Sequence, residues 1–167
     1  MIITNSKAKK KGAHFEYLNY HLLSILIVVY HDLFSNIIFA RMTREKSHEF
    51  VKEPAITAKW LKYYTDKTKP IEKDTGKNPP VTILDNEMLN FIKLTSVNSE
   101  HIMVLPPERC HFKSGDLVRV IDGAFTGVVG RVGRAAGQQR VIVVLEGVCN
   151  VATAYIPNDF IQIIETF

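Results

Sequence analysis

At 167 residues the chain has room for one ordinary domain or two small ones, and 46% hydrophobic with 23% charged residues is a globular balance that excludes disorder throughout. The net charge of +4 suggests nucleic acid until it is located: residues 1–12 hold Lys7, Lys9, Lys10 and Lys11 with no acid, residues 13–106 hold 11 bases and 11 acids, and residues 107–167 hold 6 of each. A neutral body lacks the clustered cations that strong non-specific DNA binding requires, so nucleic acid contact is expected to be weak and residues 1–19 are read as a solvated basic tail.

The longest apolar run, LLSILIVVY at residues 22–30, is well short of the roughly 20 residues that cross a bilayer, and its β-branched content suits a buried strand. Its interior position also argues against a secretory signal. These features predict a cytoplasmic protein without a membrane partner. Further strands are expected in LFSNIIFARM and AKWLKYY. Between them TREKSHEFVKE, residues 43–53, is rich in helix formers but poorly periodic, and Pro54 limits any helix there.

The stretch TDKTKPIEKDTGKNPP carries Pro70, Gly76, Pro79 and Pro80 and reads as an exposed loop before a short strand, VTIL. A helix follows. Asp85 is placed to cap it, and Met88, Phe91, Ile92 and Thr95 recur at helical spacing with Leu89 beside them. Met88 stands where a full capping box would have Glu or Gln, so only the single cap is expected. Residues 95–112 look like a linker through Pro106 and Pro107, with HIMVL as a short strand, which places a domain boundary near Pro107.

Beyond that boundary short strands alternate with turn signals over about 55 residues, from DLVRVID to IQII, and predict a small closed β-barrel. The segment GDLVRVIDGAFTGVVGRVGR, residues 115–134, has no reactive side chain. Its glycines do not open a helix after a strand, which excludes a phosphate loop, and GVVG lacks the helical context of a KH loop. Glycines inside short strands instead permit the bulges and bends that close a small barrel. Arg119, Arg131, Arg134 and Arg140 alternate with apolar residues and are expected to point outward, because a buried unpaired guanidinium is costly.

Cys110 and Cys149 have no CxxC partner and read as reduced thiols. His14, His21, His31, His48, His101 and His111 lack metal-ligand spacing, and His31-Asp32 has no nucleophile elbow. No metal, cofactor or catalytic residue is expected, and the chain is read as a non-enzyme. An enzyme site assembled from distant residues would escape such spacing arguments.

The order Gly115, Val118, Val120, Gly123, Phe125, Gly127, Gly130, Val132, Arg140, Val141, Val143, Leu145, Gly147, followed by TAYIPNDF, resembles the KOW domain at the C-terminus of NusG-family transcription elongation factors. The ending NVATAYIPNDFIQII resembles the UpxY-type antiterminators of capsular polysaccharide loci in Bacteroidetes. Upstream, LFSNIIFA and PPVTILDNEMLNFIKL look like the central strand and the final strand and helix of the family's NGN domain, with Ser35 and Asn36 in place of its Pro-Gly and Ile37 in place of its Tyr.

The resemblance implies an α+β chain. A basic tail over 1–19 precedes an NGN-like α/β sandwich with linker over 20–106, incomplete because no opening strand is recognisable, and an SH3-like KOW barrel over 107–167. It implies transcription elongation or antitermination through the RNA polymerase clamp, contacted by Phe34, Ile37, Phe39 and Trp60, although core packing is the simpler account of each. For the barrel it implies a second partner, ribosomal protein S10 or Rho, met by Phe125 with Arg119, Arg131 and Arg134. A sheet lacking its first strand would expose an edge, to be covered by the N-terminal segment or by a second copy in a homo-oligomer. A KOW-containing translation factor bound to ribosome or RNA is the alternative.

Overall fold

The computed structural model describes residues 2–5, 26–29, 37–52, 61–97, 100, 102–105 and 111–165. They form an α+β protein that divides into two compact units, Met1–Thr82 and Ile83–Phe167.

The first unit is built on a four-stranded antiparallel sheet of β1 (Ile2–Asn5), β2 (Leu26–Val29), β3 (Ile37–Arg41) and β4 (Leu61–Tyr63), in the order β2-β3-β1-β4. Helix α1 (Arg44–Lys52) lies in the connection from β3 to β4. Both of those strands run antiparallel to β1, which sits between them, so the connection is a split β-α-β crossover. The supposed tail therefore begins with an interior strand: Ile2 pairs with Phe39 and Ile3 with both Ile38 and Tyr63. Four residues, IITN, are too few for a periodic signal, which is why the opening strand was not recognisable in the sequence. Strand β3 consequently has a neighbour on each side, and β2 and β4 form the edges.

Helix α1 explains its own poor periodicity. Its buried positions are Ser47 and Phe50, one turn apart, and the first is polar. Ser47 donates to the Arg44 carbonyl at 2.6 Å and its hydroxyl lies 3.1 Å from that of Tyr63 on β4, so the buried oxygen is satisfied. The following loop is tied to the helix by a two-pronged contact from Arg44 Nη2 to the Glu72 carboxylate at 2.6 and 2.7 Å. The expected strand VTIL is reduced to a single bridge between Thr65 and Pro80, plus one bond from the Val81 amide to Tyr64 O. Two prolines in succession remove the donors a ladder would need.

The second unit contains α2 (Asp85–Thr95), β5 (Met103–Leu105), β6 (His111–Val120), β7 (Val129–Ala135), β8 (Gln138–Leu145), β9 (Cys149–Ala152), a 3₁₀ turn (Asn158–Phe160) and β10 (Ile161–Glu165). The six strands are antiparallel in the order β10-β6-β7-β8-β9-β5. Helix and β5 thus belong with the C-terminal strands, and the division falls at Thr82/Ile83 where the sequence suggested Pro107. The expected barrel strands form a meander whose last member returns beside the first; β5 extends the opposite edge. Among the described residues no ladder joins β10 to β5, so the hydrogen-bonded series is open rather than closed.

Strand β8 is central, and Val141, Ile142 and Val143 are all buried, which makes RVIVVL a continuous apolar run instead of an alternating one. Ile142 packs with Leu105, Ala135 and Ala152. Helix α2 contacts this strand. Its N-cap is Leu84, without a side-chain cap, so Asp85 is the first helical residue rather than the cap; together with Glu87 it still places negative charge at the helix's positive end. Phe91 and Leu94 are its buried residues, while Leu89 is exposed.

Two glycines show what the sequence pattern is for. Gly115 has φ 73° and lies where the β6–β7 register slips between Phe112 and Leu117, the bulge that bends a long strand. At Gly130 a side chain is excluded by contact: an added Cβ would lie 2.6 Å from Ile142 O and 2.9 Å from Val141 Cγ1. Gly130→Ala is accordingly expected to lower stability by about 1–3 kcal/mol, measured by equilibrium chemical denaturation; an unchanged midpoint would contradict this packing.

Candidate interaction surface

Of the residues expected to contact a polymerase, Phe34 and Trp60 lie outside the described residues. Phe39 is 2% exposed and belongs to the core of its unit. Ile37, its neighbour but one on β3, is half-buried.

The C-terminal expectations divide more sharply. Phe125 is 5% exposed and not an outward contact. The turn after β6 folds back on itself, Thr126 N donating to Gly123 O, Val128 N to Phe125 O and Gly127 N to Val120 O, and carries the phenyl ring inward, where burial contributes about 1.5–3 kcal/mol. Arg140 also departs from the outward reading, at 6% exposed. Its guanidinium is satisfied by the carbonyls of Thr153 and Ala135 and by Gln138 Oε1, which offsets much of the burial penalty. Burial alone pulls its pKa below the ordinary arginine value. Arg131 is half-buried and donates to Gly115 O at 2.6 Å, bracing the bulge. Arg119 and Arg134 are exposed.

Arg134 borders a depression of about 370 Å³ together with Gly137, Gln138, Gln139, Tyr155 and Asn158. Its rim is the β7–β8 hairpin, whose two linking residues, Ala136 and Gly137, have φ of 51° and 76°, the signature of a type I′ turn. For alanine this conformation costs of order 1 kcal/mol. The other wall is the segment from Thr153 to Asn158, pinned to β8 along its length. Thr153 N donates to Val141 O, and its hydroxyl accepts from Val141 N at 3.1 Å and donates to Ala154 O at 2.7 Å. Ile156 N donates to Gln139 O, and the Gln139 amide reaches back to Ile156 O at 3.3 Å and Asn158 Oδ1 at 2.6 Å. On this fixed frame Tyr155 stands 56% exposed. Neither it nor Arg134 has a polar side-chain partner among the described residues. The place offers an aromatic face, one positive charge and side-chain amides. Sequence reasoning assigned Tyr155 no role; a tyrosine two residues before Pro157, in a turn-rich stretch between strands, was the available signal.

A smaller cleft of about 250 Å³ runs between α2 and the sheet, with Asn86, Glu87, Asn90 and Arg131 among its lining. Asn90 Oδ1 accepts from Val129 N at 3.0 Å, and Lys93 Nζ donates to Gly127 O at 3.3 Å, so this cleft is the seam by which the helix docks. Burial, with a smaller push from the Glu146 charge, raises the Glu87 carboxyl above the ordinary carboxylate range, against hydrogen bonds from the Leu84 and Glu146 backbone. Burial likewise pushes the Cys149 thiol up to about 12, which keeps it protonated and unreactive near neutrality. Among the described residues no group of three or more His, Cys, Asp or Glu could hold a metal ion, and no helix is long and apolar enough to cross a membrane.

No family model, no curated protein and no solved structure matches the chain.

Two outcomes follow from this geometry. Thr153→Val keeps the shape but leaves the Val141 amide without its hydroxyl acceptor, and is expected to cost about 1–3 kcal/mol in thermal or chemical unfolding. Glu87, with its folded-state pKa raised, favours folding at low pH, and that contribution is lost as pH rises through the folded value. Glu87→Gln should therefore raise stability at neutral pH and remove that part of the pH dependence in unfolding curves; a variant less stable at pH 7 would contradict the assignment.

Proposed function

We propose that the chain is a non-enzymatic transcription elongation and antitermination factor of the NusG type, working in the cytoplasm by contact with other macromolecules. The observation that carries this reading is the meander β6-β7-β8-β9, with β10 returned beside β6 through a 3₁₀ turn. It spans the residues that bear the KOW-like order of glycines and valines, bent at Gly115, and it is the strand arrangement a small SH3-like barrel requires. The split β-α-β sheet of the first unit supports it from the other side. With β1 in place that sheet has the opening strand which the sequence alone did not reveal, so the comparison with an NGN domain no longer requires a missing strand.

In this reading the first unit docks on the clamp of RNA polymerase and suppresses pausing by holding the clamp closed. Ile37 is the described residue best placed to contribute, since Phe39 is committed to the core. The second unit recruits or excludes a further partner, with ribosomal protein S10 and Rho as the family's examples. That contact passes to exposed side chains such as Arg119 and Arg134, because Phe125 and Arg140 are enclosed.

The reading is tested by titrating the full chain against purified core RNA polymerase. Saturable binding is expected, weakened about tenfold or more by Ile37→Asp, in the range of an interface hot spot. Absence of binding by folded protein would overturn the reading.

A further inference from the structure

We propose that the depression at Tyr155 binds one unpaired nucleotide of a single-stranded nucleic acid, with its base stacked on the Tyr155 ring and its phosphate paired with Arg134. The inference goes beyond the polymerase reading and stands or falls independently of it.

Four observations converge. Tyr155 is 56% exposed on a segment whose backbone is fixed to β8 at Thr153 and Ile156, so binding to its ring needs no ordering of the backbone that carries it. An exposed aromatic ring carried on such a backbone is a stacking platform that any base can use. Arg134 carries the depression's only cation, exposed and without a partner among the described residues, which suits one phosphate. Gln139 Nε2, Asn158 Oδ1 and Gln138 Oε1 are engaged within the protein, and the Gln138 and Asn158 amide nitrogens with Gln139 Oε1 remain to meet a base edge. Finally, the rim at Ala136 is held at φ 51°, and backbone strain of this kind concentrates at binding sites. The bare Gly137 beside it, with nothing within 4 Å of an added Cβ, lets a ligand approach the turn closely.

The size and charge narrow the class. A volume of about 370 Å³ is at the small-ligand end of binding sites and suits a single nucleotide. Stacking on Tyr155 requires a base already out of its helix, which selects single strands. Acidic or phosphorylated peptides are recognised by clusters of arginines, and this depression has one. A single cation also forbids tight tracking along a backbone, in keeping with the near-neutral body of the chain; recognition must centre on the base.

The experiment is fluorescence anisotropy of the full chain with short labelled single-stranded RNA and DNA of one mixed sequence, and an oligoglutamate peptide as competitor. Binding of at least one oligonucleotide is expected, and the better of the two identifies the source of the nucleotide. Tyr155→Ala should weaken it about tenfold or more, Tyr155→Phe should retain it, and Arg134→Ala should weaken it and lower the slope of log affinity against log salt by about 0.7. Lys73→Ala, at an exposed lysine that does not line the depression, should bind as the parent does. Circular dichroism should be unchanged in all four variants, since these side chains make no hydrogen bond within the described protein. Failure of both oligonucleotides to bind, parental affinity in Tyr155→Ala, or tighter binding of the peptide at the same residues would each overturn the proposal.

Discussion

The architecture of the second unit depends on how the chain between β9 and β10 is held against β8. For β10 to lie beside β6, the segment after Ala152 must cross the end of the sheet and leave its own backbone groups satisfied. Arg140 and Thr153 do most of this. The guanidinium takes the Thr153 and Ala135 carbonyls, and the Thr153 hydroxyl takes the Val141 amide, so one buried arginine and one buried threonine join the β7–β8 hairpin to the returning strand. Gln139 continues the seam to Ile156 and Asn158. A buried cation in a largely apolar sheet would be a liability if any of these acceptors were missing; with them it fixes the path of the chain that carries Tyr155.

The same network separates two kinds of arginine that look alike in the sequence. Arg131 and Arg140 act on the fold, through Gly115 O and Thr153 O, whereas Arg119 and Arg134 face solvent. All four alternate with apolar residues, and alternation reports only which face of a strand a residue occupies. It cannot report whether that face is later covered by a loop. Arg140 is enclosed because the 153–158 segment returns across it, a tertiary event with no local signature. Phe125 is the converse case: a turn residue is expected outside, but the turn after β6 closes back through Gly123 and Gly127 and takes the ring in.

Much of the strand content was legible because it rests on local pattern. The β-branched runs at Leu26–Val29, Ile37–Arg41 and Gln138–Leu145 announced themselves, whereas β6 begins at His111, ahead of the expected DLVRVID, and takes the bulge at Gly115 inside it. Strand β1 did not announce itself, since four residues that pair on both sides through backbone bonds need no apolar periodicity. Helix α1 was obscured by Ser47, a polar residue at a core position made tolerable by the Tyr63 hydroxyl. The assignment of α2 to the second unit was equally hidden, because the bonds from Asn90 to Val129 and from Lys93 to Gly127 span more than thirty positions of chain. As for the candidate surface, Arg134 was among the residues singled out; Tyr155 required the pinned segment to be seen.

As a proposed elongation factor the chain would act on a transcribing polymerase, where its effect is most directly measured. On a defined template with a strong pause site, purified polymerase should leave the pause faster when saturated with the full chain, with the Ile37→Asp variant much less effective at equal concentration. Identical pause lifetimes with and without the folded protein, at concentrations well above that of polymerase, would contradict the account.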